Sequence, residues 1–253
     1  MFYCKRSFSG LMALMCLAML SACSTVTPVQ EIVADQGGYL AKNFAPQALS
    51  PAILKKLPEI RTSGNSGTLK LTIAAEVEIS DGKKETFKSV MTLIDRGNGL
   101  VQRMTELSNN DIPYMLLYSL TFRNIIDLRW QNVPLRSRVS SPVFEVKSIE
   151  RIEDVAANPG GEFAFEFTSG SEIQIANHMG NRKSCKTTRD MAASELHPKL
   201  LGRALELECE SRENNTLQYR TKMVFLQNYG FAVLTDIVRS SRKTRFSVVD
   251  VGA

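Results

Sequence analysis

The sequence predicts an all-β fold: a mainly antiparallel meander that forms a partial barrel or a sandwich, with short helical segments near the N-terminus. Three observations carry this. From residue 68 onward, apolar and polar residues alternate with a period of two through most of the chain. Turn sequences such as Asp81-Gly82, Gly97-Asn98-Gly99, Asn158-Pro-Gly-Gly161 and Asn228-Tyr-Gly230 punctuate that alternation at hairpin spacing. The resulting ten to twelve strands are joined mainly by short connections, and a sheet that long must curl, split or close.

The chain opens with Lys5 and Arg6, followed by the apolar run Leu11–Leu20. A membrane-spanning helix needs about 20 apolar residues, so this shorter run reads as a secretory signal peptide. Leu20-Ser21-Ala22-Cys23 resembles the lipobox of bacterial lipoproteins. The resemblance implies that the Cys23 thiol receives a diacylglyceryl group, that the peptide is cut before Cys23, and that the new amino group is acylated. Membrane attachment through that lipid follows. Ser24 stands where some inner-membrane lipoproteins carry Asp, which is similar to sorting to the outer membrane, facing the periplasm. An ordinary signal peptide cut after Ala22 is the plain alternative.

Three regions follow: residues 1–22 as signal peptide, 23–62 as lipidated Cys, tether and short helical segment, and 63–253 as antiparallel β domain. Ser24 to Gly38 reads as a polar tether, with a helical turn over Val29 to Ala34. Ser50-Pro51 is an N-cap followed by Pro at the first helical position, with Ile53, Leu54 and Leu57 on one side. Thr62 to Gly67 is a flexible connector.

In the β domain, Leu69, Leu71, Ile73, Ala75, Val77 and Ile79 alternate with mostly polar neighbours, the clearest half-buried strand. Lys84 to Arg96 returns antiparallel, and Leu100 to Leu107 follows. Residues 110–130 read as two strands with a bend near Arg123-Asn124, a partial helix being the alternative. Val143 to Val155 comes next, then Phe163, Phe165 and Phe167 on one face. Glu172 to about Lys186 is expected as a strand with Ile173 and Ile175 inward, and Thr187 to Gly202 as a long loop or short helix. Leu205, Leu207 and Cys209 face in while Glu206, Glu208 and Glu210 face out. Three further strands reach Val251.

Removal of residues 1–22 takes Cys4, Cys16, Lys5 and Arg6 with it. The formal charge falls from +5 to +3, too mild to argue nucleic-acid binding. With Cys23 lipidated, Cys185 and Cys209 remain, and an even pair in an oxidising compartment reads as a disulfide. No metal spacing surrounds His178, His197 or either Cys, and no Gly-x-Ser-x-Gly elbow or phosphate loop occurs, so no catalytic residue, metal or cofactor is assigned. Two basic clusters form a candidate contact surface: Arg182, Lys183 and Lys186 around Cys185, and Arg239, Arg242, Lys243 and Arg245 around the last turn. The expected role is a non-enzymatic envelope binding or structural module with a protein partner. Its alternative is a carrier or receptor for a lipid or other hydrophobic ligand in a half-open β-barrel, with residues 112–130 lining a cavity; a hydrolase without a recognisable motif ranks last.

Overall fold

The computed structural model describes residues 27–60, 67–80 and 82–252. Cys23 and the lipobox lie outside them. Twelve strands run β1 (Thr68–Ile79), β2 (Lys84–Asp95), β3 (Leu100–Asn109), β4 (Ile112–Phe122), β5 (Ile126–Pro134), β6 (Phe144–Ile152), β7 (Glu162–Ser171), β8 (Met179–Ala192), β9 (Arg203–Glu213), β10 (Thr216–Leu226), β11 (Phe231–Arg239) and β12 (Arg242–Gly252). Each pairs antiparallel with its sequence neighbour, and β1 pairs with β12, so the meander is a closed barrel without free edges. Residues 110–130 are two strands, and the bend at Arg123 and Asn124 is a left-handed pair with φ of 56° and 54°.

Two seams of the barrel are weak. β5 and β6 pair only at Arg129–Glu145 and Trp130–Phe144, and β11 and β12 only over Asp236–Arg239 and Arg242–Arg245. At each seam the tip-side half of the preceding hairpin folds inward and is buried on both faces. The outer face of β4, with Leu116, Tyr118, Leu120 and Phe122, shares one core with the inward side chains Phe163, Phe165, Leu205, Leu207 and Phe225. The outer face of β10–β11, with Val224, Leu226, Phe231 and Val233, shares a second core with Leu71, Leu93, Val101 and Val251. The two hairpin tips meet: Ala232 N donates to Arg123 O at 2.8 Å, and Asn124 Nδ2 to Ala232 O at 2.8 Å.

Residues 24–38 were expected to be a tether with a helical turn over Val29 to Ala34; the turn forms with those bounds, but the described part of the stretch is packed on the barrel and is not a tether. Helices α1 (Val29–Ala34), α2 (Gln36–Asn43) and α3 (Pro51–Lys56) form a strap across the outer face of β3–β5, with α3 against β6. Val29, Ile32, Leu40, Phe44 and Ile53 are buried, and Phe44 stacks on Tyr118 at 5.7 Å. Ser50 caps α3 as its sequence predicts, accepting from Ile53 N at 3.3 Å. Polar hooks seat the strap: Gln102 Nε2 donates to Leu40 O at 3.2 Å, Arg129 Nε to Asn43 O at 2.9 Å, and Tyr39 OH to Gln131 Oε1 at 2.6 Å.

The strap enters where Pro28 bridges Val139 and leaves where Ile60 N donates to Asn98 Oδ1. By the meander, the β1–β2, β3–β4, β5–β6, β7–β8, β9–β10 and β11–β12 connections share the entry end. One strand expectation fails. Residues 172–178 are a loop, with Ile173 and Ile175 exposed rather than inward, and β8 instead continues to Ala192. Gln174 explains the loop: its side chain accepts from Ser171 N and donates to the carbonyls of Ala176 and Asn177, replacing ladder bonds.

Candidate functional site

Two concavities gather chemistry-bearing residues. The first is a groove of about 600 Å³ across β6–β12. Ala164, Ser184 and Val238 line it together with the disulfide-bearing stretches of β8 and β9, and a charged field surrounds them. Period-two alternation puts these charges outward, because Phe163, Cys185, Leu207 and Cys209 occupy the inward positions. Cys185 and Cys209 are direct register partners, Cα atoms 4.1 Å apart, and form the expected disulfide.

Arg151, Arg182, Lys186, Arg220, Lys222 and Lys243 face Glu162, Glu208, Glu210 and Asp236 in the groove. Arg220 pairs with Glu210 and Lys222 with Glu208, each at 2.8 Å. The hydrogen bond and charge of Arg220 hold the Glu210 carboxyl below the usual range, and Glu208 raises Lys222. Among the described residues Lys186 and Lys243 have no carboxylate within ion-pairing distance. These cations can meet an anionic group without first breaking a pair.

The predicted basic surface is thus brought together in part. Arg182, Lys186 and Lys243 line the groove. Arg239 lies over the Tyr219 ring at 5.5 Å, and Arg242 and Arg245 are exposed on β12 at the entry end. Lys183 is a correction: it is buried on the inner face and has no part in that surface. The same parity that puts Cys185 inside puts Lys183 inside, two residues earlier, and that signal was readable in the sequence.

The second concavity, about 200 Å³, lies inside the barrel under the β4–β5 tip. Lys183 Nζ donates to Ile125 O at 2.9 Å. Burial pulls its pKa from 10.5 to about 8; the charge of Asp127 opposes this and that of Arg103 adds to it. Arg103 donates to Asn124 Oδ1 at 2.9 Å, Ser119 Oγ at 2.9 Å and Asp127 Oδ1 at 2.7 Å. Arg123 makes a two-pronged pair with Asp154, at 2.9 Å for each prong. These groups fasten the hairpin tip to β8 and to the β6–β7 connection, and a structural role accounts for all of them.

Within the stretch 112–130, the face with Leu116, Tyr118, Leu120 and Phe122 is packed, with Tyr39 and Phe44 against Tyr118. Ile112, Tyr114 and Met115 at its start line a separate surface concavity of about 510 Å³, and Ile125, Ile126 and Trp130 at its end line the second concavity. His178 lies in the β7–β8 loop at the entry end and His197 in the β8–β9 connection at the opposite end. No group of His, Cys, Asp and Glu among the described residues could hold a metal ion.

No family model matches the chain, and no curated protein matches it. Solved structures are similar in fold. A domain named for outer membrane lipoprotein sorting, from Vibrio parahaemolyticus, has a TM-score of 0.40 at 9% identity, covering 74% of this chain and 86% of that one. A DUF1329 family protein from Desulfovibrio piger has 0.39 at 8%, covering 74% and 85%. A β-barrel-like protein of a domain of unknown function, DUF1849, from Brucella abortus has 0.39 at 7%, covering 73% and 96%. The likeness is to the course of a β-rich chain alone.

Proposed function

We propose that the chain is a non-enzymatic binding module of the bacterial cell envelope, held at the outer membrane by a lipid on Cys23, with the β6–β12 groove as its docking site for a protein partner. The groove itself carries this reading. It combines an apolar strip with a field of both charge signs, the mixture by which protein surfaces fix register and partner. The unpaired Lys186 and Lys243 favour a partner segment bearing carboxylates. The lipobox residues Leu20-Ser21-Ala22-Cys23 support the anchor. The wide separation of His178 and His197 supports a non-catalytic role.

The inward hairpins weigh against the carrier alternative. They leave an interior concavity of about 200 Å³, in which Asp127, Asn181 and Lys183 stand among apolar residues such as Ile126 and Phe167, below the roughly 300–1,000 Å³ of ligand pockets. Photo-cross-linking in the native envelope tests the proposal, with a benzophenone amino acid at Lys186 or Lys243 and a control at Lys70 on exposed β1. A discrete adduct from the groove positions alone is expected. Equal labelling from Lys70, or no groove adduct, overturns it. Stoichiometric lipid extracted from the purified barrel would turn the reading to a carrier.

A further inference from the structure

We propose that the entry end of the barrel rests on the bilayer that holds the Cys23 lipid, with the β3–β4, β5–β6 and β7–β8 tips in its headgroup layer. This rests on the lipid-anchor reading and adds an orientation to it. The first argument is reach. Only four residue steps separate Cys23 from Thr27, so the lipidated residue lies within about 14 Å of Thr27 even when fully extended. Thr27 is fixed at the entry end, its carbonyl accepting from Ser140 N at 3.2 Å. That end cannot stand far from the membrane, and the opposite end is a strand length further away.

The second argument is where exposed apolar side chains fall. Of the nine large ones among the described residues, seven belong to the entry end, and only Leu201 and Val249 lie toward the other. Ile112, Val139, Ile173 and Ile175 sit on three separate tips, and Ile175 is 94% exposed. Scattered single apolar residues are ordinary on a protein surface; their concentration at the tethered end is not. The third argument is charge. Arg136 and Arg138 flank Val139, and Arg239 and Arg242 cap the last hairpin, all exposed. Two acidic groups at this end are already engaged, Asp111 by Lys88 and Glu172 by Arg129. Arginines around apolar tips match a surface of anionic lipid over hydrocarbon.

The test uses the full lipidated protein with Ile175→Cys or, separately, Leu201→Cys. Both positions are exposed, and the other thiols are held in the disulfide or by lipid. Each variant is labelled with an environment-sensitive fluorophore and reconstituted in vesicles of phosphatidylethanolamine and phosphatidylglycerol containing a nitroxide-labelled lipid quencher. Blue-shifted emission and several-fold stronger quenching at 175 than at 201 is the expected result. Equal quenching at the two sites overturns the proposal, as does quenching at 201 alone. An unquenched label at 175, together with a disulfide between copies when the unlabelled Ile175→Cys protein is oxidised, also overturns it, in favour of a dimer. Labelling the same preparation with a palmitate analogue separates the two readings. Labelled but unquenched protein defeats the orientation alone, whereas unlabelled protein defeats the anchor and the orientation together.

Discussion

Hairpins β4–β5 and β10–β11 both fold inward at a weak seam, yet they are covered by different parts of the chain and held by different interactions. β4–β5 is sealed by the α1–α3 strap, distant in sequence, and its tip is pinned by Arg103, Arg123 and Lys183. β10–β11 is sealed by the neighbouring β8–β9 connection, through Ala193 and Leu200, in a core of apolar side chains. The difference separates two tasks. Apolar burial supplies most of the hold on either hairpin, while directional polar bonds fix where a tip stops. A one-residue slip of β4–β5 would break several charged side-chain pairs together, whereas a slip of β10–β11 would break only its tip bonds to Arg123 and Asn124 and would otherwise be opposed by packing.

The sharpest way to break this comparison is to cut one core at a time. Phe44→Ala is expected to cost about 3–5 kcal/mol in denaturant unfolding and to raise hydrogen exchange across residues 29–57. Phe231→Ala should cost a similar amount while leaving the strap protected. Loss of strap protection in Phe231→Ala would mean that the two cores are one unit. Next in size is the disulfide, which lies in the strap-side core. Replacing Cys185 and Cys209 with Ala should cost on the order of 3 kcal/mol, checked by urea midpoint.

Lys183 gives the comparison a pH signature. Its folded pKa of about 8 lies below the unfolded 10.5, so between those values the unfolded chain keeps a proton that the folded chain has released. Stability from this group therefore rises with pH across that window, by up to roughly 3 kcal/mol, and is flat below it. Burial raises Tyr39 and Tyr118 instead, which destabilises the fold once pH exceeds the ordinary tyrosine value. Lys183→Met should be more stable than wild type at pH 7, and the gap should narrow toward pH 10.5 in urea titrations. A constant gap would sink the assignment. The smallest effect is expected on the groove: Lys222→Ala, losing an exposed pair with Glu208, should change stability by no more than about 0.5 kcal/mol.

Much of the barrel is legible in the sequence because most strands bury one face. β1 alternates cleanly and β9 does so from Leu205 onward, and the left-handed turn at Arg123-Asn124 stands where the alternation pauses. What is illegible follows from tertiary contacts. Ser119 and Thr121 are polar and yet buried, because the inward fold of β4–β5 encloses both of its faces. Ile173 and Ile175 alternate like strand residues, and the side chain of Gln174 between them diverts the backbone into a loop. Two of the strap helices, Val29–Ala34 and the one capped by Ser50, are legible, but the helix Gln36–Asn43 and the packing of all three on the barrel are not, because helices of six and eight residues are too short for a clear apolar period. Cys185 and Cys209 were readable as a pair from compartment and count. The groove was not, since it depends on how far the sheet bends.

The strap crosses the barrel from the Pro28–Val139 bridge to the Ile60–Asn98 bond, so a pull on the N-terminus reaches the helices before it reaches the sheet. The bonds that would part first are Val29 N to Arg138 O and Ser140 N to Thr27 O. Under load the molecule would peel from one end, one bond at a time, lengthening as α1 and α2 lift away while the twelve paired strands bear little of the strain. The strap is then a mechanical fuse: tension on the N-terminal side of Thr27 would bare Tyr118 and Leu120 well before the barrel opened.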